Sequence, residues 1–104
     1  MPGKVRVLLF HRTADGEGLR AAYRRTSEAL SGTPGLLGNE LLGSVHDSAE
    51  FIVISDWADQ ESFDAWETGA SHRDSTAPLR PYRDMALSRP FGVYRVLDGF
   101  GEPY

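Results

Sequence analysis

The stretch Phe51-Ile52-Val53-Ile54-Ser55-Asp56-Trp57 carries bulky side chains at alternate and intervening positions alike. Side chains alternate across a strand with period two, so Phe51, Val53, Ser55 and Trp57 share one face while Ile52, Ile54 and Asp56 share the other. A strand with bulk on both sides needs cover on both sides, and the stretch Val5 to Phe10, with apolar residues on both faces, makes the same demand. Helices from this chain can cover one face; the other needs a second partner.

The remaining pattern supplies those helices. Leu19, Ala22, Tyr23, Thr26 and Leu30 recur at helical spacing and predict an amphipathic helix that stops at Ser31-Gly32-Thr33-Pro34-Gly35. Before it, Lys4 to Arg12 reads as a strand. After it, Leu36 to Val45 and Glu50 to Trp57 form a hairpin around His46-Asp47-Ser48-Ala49. Asp59 is placed to N-cap a second helix with Phe63 and Trp66 one turn apart on its buried side. Ser71 to Leu87, interrupted by Pro78 and Pro81, is irregular or short-helical, and Phe91 to Phe100 alternates as a last strand. The order strand, helix, strand, strand, helix, strand is the ferredoxin-like βαββαβ pattern of an α+β domain. It predicts a four-stranded antiparallel sheet with both helices on one face. The bare face is then an apolar patch, and an identical chain packed sheet to sheet covers it most simply, giving a homodimer.

Composition narrows the function classes. The 104 residues are read as a single domain, 1–104, with 40% hydrophobic and 25% charged residues, as in an ordinary globular chain. Without cysteine there is no disulfide, thiolate nucleophile or Cys-ligated metal. A formal charge of −4 argues against nucleic acid, and Arg20, Arg24 and Arg25 read as a solvated helix face. The longest apolar run, Val7 to Phe10, is far short of the roughly 20 residues that cross a bilayer, and a cytoplasmic location is expected.

Three segments carry a family resemblance: Thr33-Pro34-Gly35-Leu36-Leu37-Gly38-Asn39-Glu40-Leu41-Leu42-Gly43-Ser44, Phe51 to Trp57, and Phe63-Asp64-Ala65-Trp66. Together with Thr76-Ala77-Pro78-Leu79-Arg80-Pro81 they resemble the antibiotic biosynthesis monooxygenase family, in particular members of aromatic (type II) polyketide pathways. The resemblance implies a dimeric α+β barrel with a pocket between sheet and helices in each protomer. It also implies a cofactor-independent monooxygenase that needs neither metal nor cofactor and converts an anthrone-like or phenolic polyketide to a quinone with dioxygen. Trp57 matches the strand-end tryptophan of the anthrone oxygenases; the asparagine they carry four residues earlier is Val53 here. Trp66 matches the tryptophan of the haem-degrading branch, but that branch's axial histidine falls on Ser75 or Thr76.

Reading the residues beside the resemblance gives a candidate site. His72 and His11 are the candidate bases, because histidine titrates near neutral pH, and Trp57 is the third candidate catalytic residue; His46 sits in a turn. Asn39, Ser55, Arg80 and Tyr82 are candidate hydrogen-bond partners for a phenolate, and Phe51, Val53, Phe63 and Trp66 candidate walls. The same residues would serve a polyketide cyclase, which closes a ring by aldol chemistry and consumes no oxygen, or a non-catalytic polyketide-binding accessory protein.

Overall fold

The structure is a computed structural model that describes residues 3–69 and 72–101, with the side chains of His72 and Arg73 outside the description. The central strands are β1 (Val5–Arg12) and β3 (Glu50–Trp57), flanked by β2 (Leu36–Gly43) and β4 (Phe91–Arg95) in the order β2-β3-β1-β4, every pair antiparallel. Helices α1 (Gly16–Leu30), α2 (Gln60–Glu67) and α3 (His72–Thr76) and a 3-10 segment, Ala77–Tyr82, complete the chain. This is the ferredoxin-like α+β arrangement expected from the sequence, with α3 and the 3-10 turn filling the stretch read as irregular.

Local chemistry sets the helix ends. The Asp15 carboxylate accepts the Gly18 N–H at 2.9 Å and starts α1 three residues before the first apolar position. Leu19, Ala22, Thr26 and Leu30, spaced along one stripe, are the buried residues of this helix. Asp59 caps α2 as expected, accepting the Ser62 N–H at 2.7 Å. Gly35, with φ of 83°, occupies a left-handed turn, and Ser62 stands where its Cβ would be, so the turn and α2 approach closely.

Register sorts the sheet into two faces. Val5 lies opposite Trp57, Val7 opposite Ser55 and Leu9 opposite Val53, so these residues all point to the helix side. There the core forms two clusters. In one, Val5, Val7 and Trp57 pack on Phe63 of α2; in the other, Val53 packs on Leu19 and Ala22 of α1 and Leu79 of the 3-10 turn. The other face presents Leu8, Phe10, Ile52 and Ile54, all only partly buried, beside Leu42. Ion pairs Arg6–Asp56 (2.8 Å) and Arg12–Asp47 (2.7 Å) flank this patch. Among the described residues, no helix is long and apolar enough to cross a membrane.

Two strands are shorter than the sequence suggests. The last was expected to reach Phe100 but ends at Arg95, because the strand it pairs with, β1, begins at Val5 opposite it. One further bond, from Val96 N–H to the Lys4 carbonyl at 2.8 Å, closes the ladder. The second strand stops at Gly43 rather than Val45, since Ser44 Oγ accepts the N–H groups of His46 and Asp47 and turns the chain.

Candidate active site

A cavity of about 250 Å³ lies on the helix side of the sheet, between α2 and strands β1, β3 and β4. Val7, Leu9, Phe63, Trp66, Phe91 and Val93 form its apolar walls. Ser55, Glu67, Thr76 and Arg83 supply its polar groups. β4 is an edge strand, and Phe91 and Val93 are 45% and 37% exposed, so the slot faces solvent along that edge. A flat apolar body flanked by a few oriented polar atoms is what such a lining accommodates.

Three of the sequence candidates, Ser55, Phe63 and Trp66, meet in this cavity. Trp57 stands one layer behind it: 1% exposed, it stacks edge-on against Phe63 (centroids 5.6 Å apart) and tilted against Trp66 (5.2 Å). Its indole N–H donates to Ser55 Oγ at 3.0 Å. That bond uses one lone pair of the hydroxyl and leaves the Ser55 O–H to donate to a bound molecule. Trp57 therefore orients a cavity hydroxyl and buttresses two cavity walls.

The other candidates are held elsewhere. Asn39 Oδ1 accepts from Tyr23 Oη at 2.6 Å and from Ser27 Oγ at 3.3 Å, so this candidate phenolate partner is engaged by α1. Val53 and Phe51 pack in the cluster around Leu19, Ala22 and Leu79. Arg80 is exposed, and its guanidinium reaches Thr76 Oγ1 at 3.4 Å, one turn back. Tyr82 is half-buried with its hydroxyl over the start of α1, 2.6 Å from where a Cβ on Gly18 would sit. The side chain of His72 lies outside the described residues.

His11 is buried, 3% exposed, on the face of β1 that carries Val7 and Leu9, but does not line this cavity. Its Nδ1–H donates to the Leu9 carbonyl at 3.0 Å, which leaves Nε2 as the basic nitrogen. Burial lowers its pKa below the ordinary 6.5; the bond to Leu9 opposes this, and the Arg83 guanidinium adds to the lowering. The unfolded chain thus takes up a proton near pH 6.5 that the folded chain still resists. The stabilisation is complete above that pH and is lost as pH falls toward the lower, folded value. We expect the thermal midpoint of the wild type to drop between about pH 6.5 and 5. In His11→Gln, measured by calorimetry over the same range, part of that drop disappears; identical profiles would exclude His11 as its source.

Glu67, Thr76 and Arg83 were not marked by the sequence. Glu67 ends α2, and Arg83 follows a 3-10 turn containing Pro78 and Pro81, so neither lies in a segment whose period defines a face. The available signal was local: a charged residue directly after the Phe63/Trp66 wall, and a third arginine in the polar stretch after α2.

The comparisons with known proteins follow the same lines. A family model described as antibiotic biosynthesis monooxygenase matches residues 4–77. Protein SchA of Streptomyces halstedii is 29% identical over 94 residues, covering 88% of this chain and 25% of that protein. The 42.8 kDa protein in the whiE locus of Streptomyces coelicolor is 28% identical over 102 residues, covering 96% and 25%. This chain spans about a quarter of the length of those two relatives. A heme oxygenase (mycobilin-producing) of Mycobacterium tuberculosis is 32% identical over 90 residues, 84% of each chain. Among solved structures, SnoaB, a cofactor-independent oxygenase from Streptomyces nogalater, superposes with a TM-score of 0.77 over 98% of this chain and all of that one. At 16% identity this speaks to fold alone. With the family model matched across both core helices and three of the four strands, the chain belongs to the antibiotic biosynthesis monooxygenase family.

Proposed function

We propose that this protein is a cofactor-independent monooxygenase that takes an aromatic polyketide intermediate of the anthrone or phenol type to a quinone. The observation that carries the reading is the slot itself, aromatic on the α2 side and bearing Ser55, Glu67, Thr76 and Arg83 around an otherwise apolar lining. Family membership supports the reaction type. An anthrone is acidic at carbon because its anion is delocalised, and that anion can reduce dioxygen without a prosthetic group. The protein's task is to desolvate the ring, deprotonate it and hold the resulting oxyanion.

Haem is not part of this reading. Among the described residues the cavity lining contains no histidine, cysteine, methionine or tyrosine to ligate iron, and Ser75 or Thr76 stands where the resemblance puts the axial histidine. A cyclase is the second reading. It is favoured by Val53, 6% exposed in the core where the anthrone oxygenases carry a polar asparagine. A homodimer formed through Leu8, Phe10, Ile52 and Ile54 belongs to the same proposal, since a second copy would cover the apolar sheet face.

The test is turnover of an anthrone by the purified protein, followed by oxygen electrode and product mass. The expected product has gained one oxygen and lost two hydrogens as dioxygen is consumed. Loss of water from a nascent polyketide with no oxygen uptake makes the protein a cyclase; binding without turnover makes it an accessory protein.

A further inference from the structure

We propose that Glu67 is the base that removes the substrate's carbon-bound proton and that Arg83 holds the oxyanion that forms, an assignment that rests on the oxygenase reading above. Among the described residues, four bring polar side chains into the slot: Ser55, Glu67, Thr76 and Arg83. Two are hydroxyls and one is a guanidinium, so among the described residues of the lining the carboxylate of Glu67 is the group able to accept a proton there. The described histidines are elsewhere: His11 commits Nδ1 to the Leu9 carbonyl and lies outside the lining, and His46 is an exposed turn residue.

Placement supports a division of labour. Glu67 is the last residue of α2, whose Phe63 packs on Val5 and Val7 near the start of β1. Arg83 bridges His11 near the end of β1, and the neighbouring Asp84 N–H donates to the Phe10 carbonyl at 3.0 Å. The two charges are thus carried by elements anchored near opposite ends of one strand, and both line the slot. Neither forms an ion pair among the described residues, so each is available to a ligand. A ring ketone whose acidic C–H lies across the ring from its carbonyl suits this arrangement.

The step balances without an oxidant. The C–H bond breaks, its proton goes to a carboxylate oxygen of Glu67, and its electron pair moves through the ring onto the carbonyl oxygen as an enolate held by Arg83 N–H donors. A carboxylate suffices as base for carbon acids when donors stabilise the developing oxyanion. Dioxygen enters only afterwards, as the oxidant of that anion.

Because proton removal precedes oxidation, it can be read without oxygen. The probe is 1,8-dihydroxyanthrone in deuterated buffer under argon, with exchange at the ring methylene followed by mass spectrometry. The wild type should accelerate exchange above buffer; Glu67→Gln should lose about 100-fold or more of that acceleration, with partial recovery in Glu67→Asp. Arg83→Met should lose about 10- to 100-fold, with partial recovery in Arg83→Lys. Both positions are exposed, and unchanged thermal midpoints would confirm that the variants fold. Wild-type oxygen uptake together with wild-type exchange rates in both variants overturns this assignment and leaves the oxygenase reading standing. A wild type that accelerates neither exchange nor oxygen uptake overturns both.

Discussion

Trp57→Ala should lower the free energy of unfolding by about 3–5 kcal/mol, which in a domain of this size corresponds to a fall of at least about 12 °C in the thermal midpoint. The indole is among the largest fully buried side chains and joins Val5, Val7 and Phe63 in one cluster. Its removal forfeits the transfer energy of the ring and leaves a void that Phe63 and Trp66, each placed by α2, can only partly fill. Trp57→Phe should retain most of the packing and lose the bond to Ser55 Oγ. Calorimetry and denaturant titration separate the two variants. A loss below about 1 kcal/mol in the alanine variant would show that the cluster closes up around the missing ring and is not rigid.

The second large effect concerns assembly. In Ile54→Lys the proposed homodimer should dissociate, with the dissociation constant raised at least about a hundredfold, because a two-fold axis buries the new charge twice without a partner. Leu8 lies opposite Ile54, and Phe10 and Leu42 lie opposite Ile52, so these side chains form one continuous patch on the face away from the helices. The flanking cations Arg6 and Arg12 are neutralised within the chain by Asp56 and Asp47, which removes like-charge repulsion from self-association. Sedimentation velocity at micromolar concentration reads the change directly, and the variant monomer should keep its helix-side core and its far-UV spectrum. A wild type that sediments as a monomer at about 100 μM would contradict the proposal, since a stable interface of ordinary size, roughly 800 Å² per partner, holds at that concentration.

The legible and illegible parts of the molecule divide by mechanism. The stripe Leu19, Ala22, Thr26 and Leu30 could be read because a helix of 15 residues repeats its signal over four turns. The bounds of β3 and the Asp59 cap were equally plain, each resting on contacts within a few residues. The end of β4 was not, because alternation continues to Phe100 while the available partner runs out at Val5. Nor was the placement of Trp57. It shares a face with Ser55, as its parity requires, yet only the depth of the sheet under α2 puts the serine at the cavity and the tryptophan behind it.

The candidate site shows the same division more sharply. Ser55, Phe63 and Trp66 were recoverable because strand parity and one helical turn bring them toward the same side. Asn39 reads from the sequence as a candidate partner for a phenolate, but whether α1 or a ligand engages it depends on where Tyr23 and Ser27 pass over β2. Arg80 and Arg83 lie one 3-10 turn apart in a segment without a hydrophobic period, and the bridge from Arg83 to His11 decides which one reaches the slot.

The order of elements, the two-sided character of the central strands and the identity of the helix stripe were thus determined by the amino-acid order alone. Each is a periodic or nearest-neighbour property, expressed through backbone geometry that any chain shares. Which side chains border the cavity, which stand behind it and which polar groups are already committed to protein partners were decided only by the tertiary structure. Those outcomes depend on distances between residues tens of positions apart, which packing sets and no local pattern encodes.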